Sequence, residues 1–234
     1  MSQKLAVVVG GTGEIGRGVL DIMVREGYFT ICVSRPPKIS IERKANVEYY
    51  FRDMTKLEQI EECFSAIANK HKKVDVLINL IGENKIGTLC EITEEIWDAV
   101  IDSNLKSIFF ICRTGAELVK KDGGGSIINF TSTAGIRALP QSPHYIAAKA
   151  GVIALTKYYA QILAPEVKVN CIAPGFVLTN SHTPENYLNY NNAINHLPLK
   201  QMSSIEEVAE AVLFLINSKT ITGHTLVVDG GLIL

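Results

Sequence analysis

Residues 5–18 read LAVVVGGTGEIGRG. An unbroken apolar run suits a strand buried on both faces, as in parallel sheets covered by helices. After the glycine-rich turn, residues 19–26 continue with helical spacing to a stop at Gly27. Strand, glycine-rich turn and helix in that order predict a dinucleotide-binding unit. Glycines let the backbone approach a diphosphate, and the N–H groups of the helix N-terminus meet its charge. The candidate cradle comprises Gly10, Thr12, Gly13, Glu14, Ile15 and Gly16. A diphosphate would repel a carboxylate facing it, so the Glu14 side chain is expected to point to solvent.

Further strands are expected at 29–33, 47–51, within DVLINLIG (75–82), and at 127–130, 167–172 and 225–228. Helical spacing predicts helices at 57–69, from about Glu94, and at 108–119, 145–163 and 208–216. Pro36 and Pro37 open the link to the third strand, so a turn or brief helix is expected there. The alternation predicts an α/β chain. It is read as a single-domain Rossmann fold over residues 1–234, a doubly wound parallel sheet of about seven strands with helices on both faces. The polar, asparagine-rich stretch 180–200, with Tyr187 and Tyr190, lies where a long loop would serve as a substrate lid.

The 234 residues are 47% hydrophobic, enough for a sizeable core, yet no apolar run is long enough to span a bilayer. A net charge of −1 with scattered charges gives no footprint for nucleic acid or a membrane surface. The first strand begins by about Leu5, leaving no room for a targeting peptide. Five widely spaced cysteines (32, 63, 90, 112, 171) read as reduced core thiols, which suits a cytoplasmic protein. The five histidines lack metal-ligand spacing, so no metal is expected; His144 stands out because it abuts Tyr145.

The chemistry concentrates in STAGIRALPQSPHYIAAK (132–149). On a helix, Tyr145 and Lys149 share a face. A phenol titrates near ~10, and a neighbouring cation lowers it by roughly 1–3 units, towards use as an acid/base. Ser132 follows the run 127–130 and brings a hydroxyl to the end of a strand, where open α/β sheets bind ligands. Phenol, ammonium and hydroxyl together suit proton transfer to a carbonyl oxygen. At the end of the second strand stand Ser34 and Arg35, where a carboxylate would favour the ribose hydroxyls of NAD. A guanidinium grips phosphate with paired bonds, so NADP(H) is expected over NAD(H). Arg17 could add a second cation, and Lys38 is a weaker candidate.

With these motifs the chain resembles the single-domain short-chain dehydrogenases/reductases, including 3-oxoacyl-carrier-protein reductase-like members, over nearly all its length. The usual TGxxxGxG becomes GxxGxxG here, with Val9 for the threonine and Glu14 for the middle glycine. The resemblance implies that Tyr145 is the general acid/base, that Lys149 lowers its pKa and binds the nicotinamide ribose, and that Ser132 orients the carbonyl. It implies that Asn104, in WxxxxxxNL, holds a water near the lysine, and that Asn79 braces the sheet. Asp53 and Met54 would contact adenine, although Asp53 also reads as the cap of the next helix. Gly82 would leave room for the cofactor, and Pro174, Gly175, Val177 and Thr179 would line the nicotinamide. The implied activity is interconversion of a ketone or aldehyde and an alcohol, on a small-molecule substrate, in a homodimer or homotetramer. The alternative is a non-catalytic dinucleotide-binding sensor, which the atypical loop keeps open.

Overall fold

Among the described residues, seven strands pair in parallel in the order β3-β2-β1-β4-β5-β6-β7. They are β1 (Leu5–Val9), β2 (Phe29–Ser34), β3 (Val47–Phe51), β4 (Val76–Asn79), β5 (Gly125–Phe130), β6 (Val167–Pro174) and β7 (Thr225–Val228). The computed structural model describes residues 3–36, 43–138, 142–180 and 190–234. Lys38 and Tyr187 lie outside the described residues.

Residue period two along β1 divides two cores. Leu5, Val7 and Val9 pack with α2 (Leu57–Lys70), α4 (Ser107–Val119) and α5 (Pro143–Ile162). Ala6 and Val8 pack on the opposite face with α1 (Glu14–Arg25) and α7 (Ile205–Asn217). Each fully buried Val, Leu or Ile contributes about 1.5–3 kcal/mol. A charge at Val7 would therefore break the layer that carries the glycine loop. The doubly wound sheet is the predicted one, and β3 and β7 have the predicted bounds.

Several boundaries differ from those expected by one to five residues, and three differences have clear physical reasons. Helix α1 starts at Glu14, not Val19, because the glycine turn itself delivers the chain into helix, with Gly13 as N-cap. Helix α5 starts at Pro143, whose fixed φ and missing N–H cost nothing in a first turn. Between α3 (Glu94–Ile101) and α4, residues Asp102–Lys106 form one π-helical turn. Such bulges shift a side chain relative to the helical face, and they gather at functional sites. Within 180–200, α6 (Tyr190–His196) is helical, and Ala193 and Leu197 pack with Met202. Four cysteines are buried free thiols as expected, but Cys90 is exposed, because it lies in the polar loop after β4 rather than in an apolar run.

Candidate active site

The strand order reverses between β1 and β4, and the crevice lies over the carboxyl ends of the strands there. Two cavities, of about 400 and 610 Å³, share Gly10, Gly13 and residues 80–83 as a common wall. Asn104, Ser132, Tyr145 and Lys149 all line the first. So do Glu14, Ile15 and Gly16 from the loop, and Pro174, Gly175, Val177 and Thr179 from the end of β6. Thr12, Ser34, Arg35 and Met54 line the second, with Gly82 in both. Asp53 lines neither. Its carboxylate takes the Thr55 N–H at 3.0 Å and the Thr55 hydroxyl at 2.7 Å, ordering the turn into α2. Burial would raise its pKa, but those hydrogen bonds and Arg35 hold it below the usual value.

Close approach explains the glycines. A Cβ on Gly16 would stand 2.3 Å from the Gly10 carbonyl oxygen, so α1 could not begin so near the strand. Gly10 itself has φ +86°, a conformation that favours glycine. A Cβ on Gly82 would meet Asn104 Oδ1 at 2.3 Å and Lys149 Nζ at 3.3 Å. The segment that follows β4 thus runs directly against the side chains of Asn104 and Lys149.

Helix α5 carries Tyr145 and Lys149 on one face, with Lys149 Nζ 5.4 Å from the tyrosine ring centroid. Lys149 Nζ donates to the Phe130 carbonyl at 3.1 Å, and Thr131 Oγ1 donates to the Lys149 carbonyl at 2.7 Å. Those bonds tie the helix to the end of β5. Ser132 begins the 3₁₀ turn Thr133–Gly135, and its Oγ accepts the Ala134 N–H at 3.2 Å. The same hydroxyl hydrogen-bonds Tyr145. In the π turn, Asn104 Nδ2 donates to the carbonyls of Glu83 (2.7 Å) and Val100 (3.0 Å). Its Oδ1 is buried without a partner among the described residues. Such an atom is costly unless a ligand or water satisfies it. Behind the site, Asn79 Nδ2 donates to Asn129 Oδ1 at 2.8 Å, and Asn129 Nδ2 to Thr156 Oγ1 at 3.0 Å. That fully buried chain couples β4, β5 and α5, the bracing expected of Asn79.

Two expectations are corrected. The Tyr145 phenol has a raised pKa, not a lowered one, because burial outweighs the Ser132 hydrogen bond that pulls it down. Burial acts on the lysine as well, pushing Lys149 down to about 8. Glu14 does not simply face solvent. Its Oε2 accepts the Asn180 N–H at 2.7 Å, so the carboxylate joins the loop to the chain just after Thr179. The N-terminus of α1 offsets part of its charge.

At the second cavity, Arg35 Nη2 lies 3.4 Å from Glu83 Oε2 in an exposed ion pair. Arg17 is not in the cavity wall; its Nη1 donates to the Thr12 carbonyl at 3.2 Å. The second cation there is Arg52, which the sequence reading passed over. Its signal was its place, one residue past β3 as Arg35 is one past β2. His144 is fully buried against Trp97, their ring centroids 6.4 Å apart, and neither ring nitrogen has a hydrogen-bond partner among the described residues. The glycine cradle, the buried ammonium and the orphaned Asn104 oxygen together fit a nicotinamide dinucleotide.

A family model described as Enoyl-(Acyl carrier protein) reductase matches residues 12–233. The 3-oxoacyl-(acyl-carrier-protein) reductase FabG of Thermotoga maritima is 33% identical, over 99% of this chain and 98% of its own. Carbonyl reductase family member 4 of Xenopus tropicalis is 31% identical, with 98% of each chain covered. Among solved structures, ElxO with NADP bound superposes with a TM-score of 0.91, at 26% identity over 99% of both chains.

Proposed function

The chain belongs to the short-chain dehydrogenase/reductase family of oxidoreductases, and on that premise we propose that it interconverts a ketone or aldehyde and an alcohol with NADP(H). The observation that carries the reading is the convergence of Asn104, Ser132, Tyr145 and Lys149 on one cavity that the glycine loop also walls. A bound nicotinamide supplies or accepts the hydride. The chain supplies alignment and the proton. Tyr145 is the general acid in reduction and the general base in oxidation. Ser132 hydrogen-bonds the carbonyl oxygen where negative charge develops, alongside the phenol it already contacts. Lys149 holds the nicotinamide ribose, whose hydroxyls give the buried ammonium acceptors it lacks. With the substrate and ribose in place, the ammonium favours the phenolate and offsets the effect of burial. Asn104, through its free oxygen, holds the water that carries protons to and from Lys149.

Arg35 at the end of β2, where an NAD enzyme would place a carboxylate, supports a 2′-phosphorylated cofactor, and ElxO was solved with NADP bound. The substrate is a small carbonyl or alcohol, residues 180–200 act as its lid, and residues 1–234 work as one domain within a cytoplasmic homodimer or homotetramer. Among the described residues no helix is long and apolar enough to cross a membrane. The assembled tetrad disfavours the non-catalytic sensor. A panel of ketones and aldehydes, followed by loss of NADPH absorbance and repeated with NADH, tests the reading. Turnover with NADPH preferred is expected. Tight cofactor binding without turnover of any panel member would restore the sensor, and equal use of both cofactors would refute the NADP(H) assignment.

A further inference from the structure

The ends of β2 and β3 place two arginines side by side. Ser34 and Phe51 are register partners, and the Arg52 N–H donates to the Ser34 carbonyl at 2.8 Å. Arg35 and Arg52 are the next residue of each strand, and both line the 610 Å³ cavity. Two guanidinium groups at neighbouring strand ends repel each other unless anions lie between or beside them. The carboxylates at hand answer this weakly. Arg35 Nη2 makes one long, exposed hydrogen bond to Glu83 at 3.4 Å, and Arg52 Nε stands 3.9 Å from Glu62, which is beyond hydrogen-bond distance. Arg52 Nη1 donates to the Phe51 carbonyl at 2.8 Å, which turns the guanidinium back over its own strand end. Its Nε is shielded from solvent and has no hydrogen-bond partner among the described residues. A guanidinium brings five donors, so this pair offers far more donors than its present partners use.

We propose that Arg52 is a second specificity-determining residue for the cofactor, which with Arg35 clasps the 2′-phosphate of NADP(H) between the ends of β2 and β3. The inference rests on the NADP(H) reading above and names a residue which that reading does not need. A dianionic phosphate between the two guanidinium groups converts their mutual repulsion into a shared attraction. It also meets planar donors from two directions, which one arginine cannot provide. Ser34, in the same wall, adds a hydroxyl to the clasp. Arg17 is not part of that wall; its guanidinium donates to the carbonyl of Thr12.

The test is calorimetric titration of the full chain with two probes, adenosine 2′,5′-bisphosphate and 5′-AMP, which differ only in the 2′-phosphate. Arg52→Gln should weaken the bisphosphate about ten-fold or more and leave 5′-AMP within about two-fold. Arg52→Lys keeps the charge and the aliphatic stem but not the paired donors, and should lose only part of that affinity. Should Arg35→Gln weaken the bisphosphate while Arg52→Gln does not, the clasp is overturned and the NADP(H) reading survives. Equal affinity of the unmodified chain for both probes overturns clasp and reading together. A parallel loss of both probes in Arg52→Gln assigns Arg52 to packing against α2, and that too overturns the proposal.

Discussion

At the Tyr145 end of the crevice Lys149 and Asn104 are buried, 4% and 0% exposed, and Tyr145 and Ser132 are half-buried beside them. At the Arg35 end they stand in water, the Arg35 side chain 66% and the Glu83 side chain 36% exposed. The difference sets the scale of what each end can do. Buried polar groups act in a low-dielectric setting, where an unmade hydrogen bond or an uncompensated charge is costly. Exposed charges are screened and mobile, and each adds little. On the proposed function, chemistry is thus concentrated at one end, and discrimination between cofactors is distributed over several weaker contacts at the other. Substitutions at the first end should therefore produce large, all-or-none effects, and those at the second graded ones.

The largest effect is expected for Tyr145→Phe. It keeps the ring in its packing and deletes the transferable proton, so turnover should fall by ~10²–10⁴. Cofactor affinity, measured by titration, should barely change. Near-normal turnover in this variant would remove the phenol from the mechanism.

Lys149→Met should separate function from stability. Turnover and cofactor binding should both fall, since one ammonium serves ribose and phenol. The unliganded chain should become more stable at pH 7, by about 1–4 kcal/mol, because a buried, poorly compensated charge gives way to an apolar side chain. That corresponds to a rise in Tm of roughly 2–4 °C for each kcal/mol. The sign with pH follows from the depressed pKa. Between about 8, the folded value, and 10.5, the ordinary value of a lysine, the unfolded chain binds the proton and the folded chain does not. The contribution of Lys149 to stability therefore rises with pH across that window and is least favourable below it. Denaturant melts of both proteins from pH 7 to pH 10 test this, with the Met variant lacking the rise. A variant less stable than the parent at pH 7 would show that the hydrogen bond to Phe130 outweighs the desolvation.

The sequence made the fold legible where burial alone decides local structure. β1 is a fully buried apolar run, β3 and β7 are short stretches rich in β-branched or aromatic residues, and all three form as read. It made the candidate catalytic pair legible because helix spacing brings Tyr145 and Lys149 onto one face whatever surrounds them. What it could not show was environment. Spacing announced a cation beside a phenol, but the direction of the phenol's shift depended on burial, which arises only when α5 packs against β5, β6 and the turn Thr133–Gly135. Partners distant in sequence were equally hidden. Glu14 meets Asn180 across 166 positions, and Arg52 joins Arg35 only through the β2–β3 register.

Glu14 yields a smaller prediction. Its carboxylate lines the cavity wall beside the glycine cradle, where a diphosphate would lie. Glu14→Gln keeps an oxygen to accept the Asn180 N–H and removes the negative charge. Cofactor affinity should rise about two- to five-fold at low salt, with the gain shrinking as ionic strength screens the charge. A fall in affinity would mean that the charged link to Asn180 holds the cradle in shape.

The smallest effect is expected at Glu83, and it bears most directly on the contrast between the two ends. Glu83 lines both cavities and its carboxylate pairs with Arg35, so it competes with a 2′-phosphate for the same guanidinium. An exposed pair of this kind is worth about 0.2–1 kcal/mol. Releasing Arg35 with Glu83→Gln should therefore tighten NADPH binding by roughly 1.4- to 5-fold. NADH, which carries no 2′-phosphate, should bind as before. The Glu83 carbonyl still accepts from Asn104 in this variant, so turnover at saturating cofactor should hold. Parallel titrations with the two cofactors measure the difference directly. If both tighten equally, Glu83 acts on the field of the whole crevice and not on Arg35. A gain well above five-fold would mean that the Arg35 end is less screened than its exposure implies, and the contrast between the two ends would narrow.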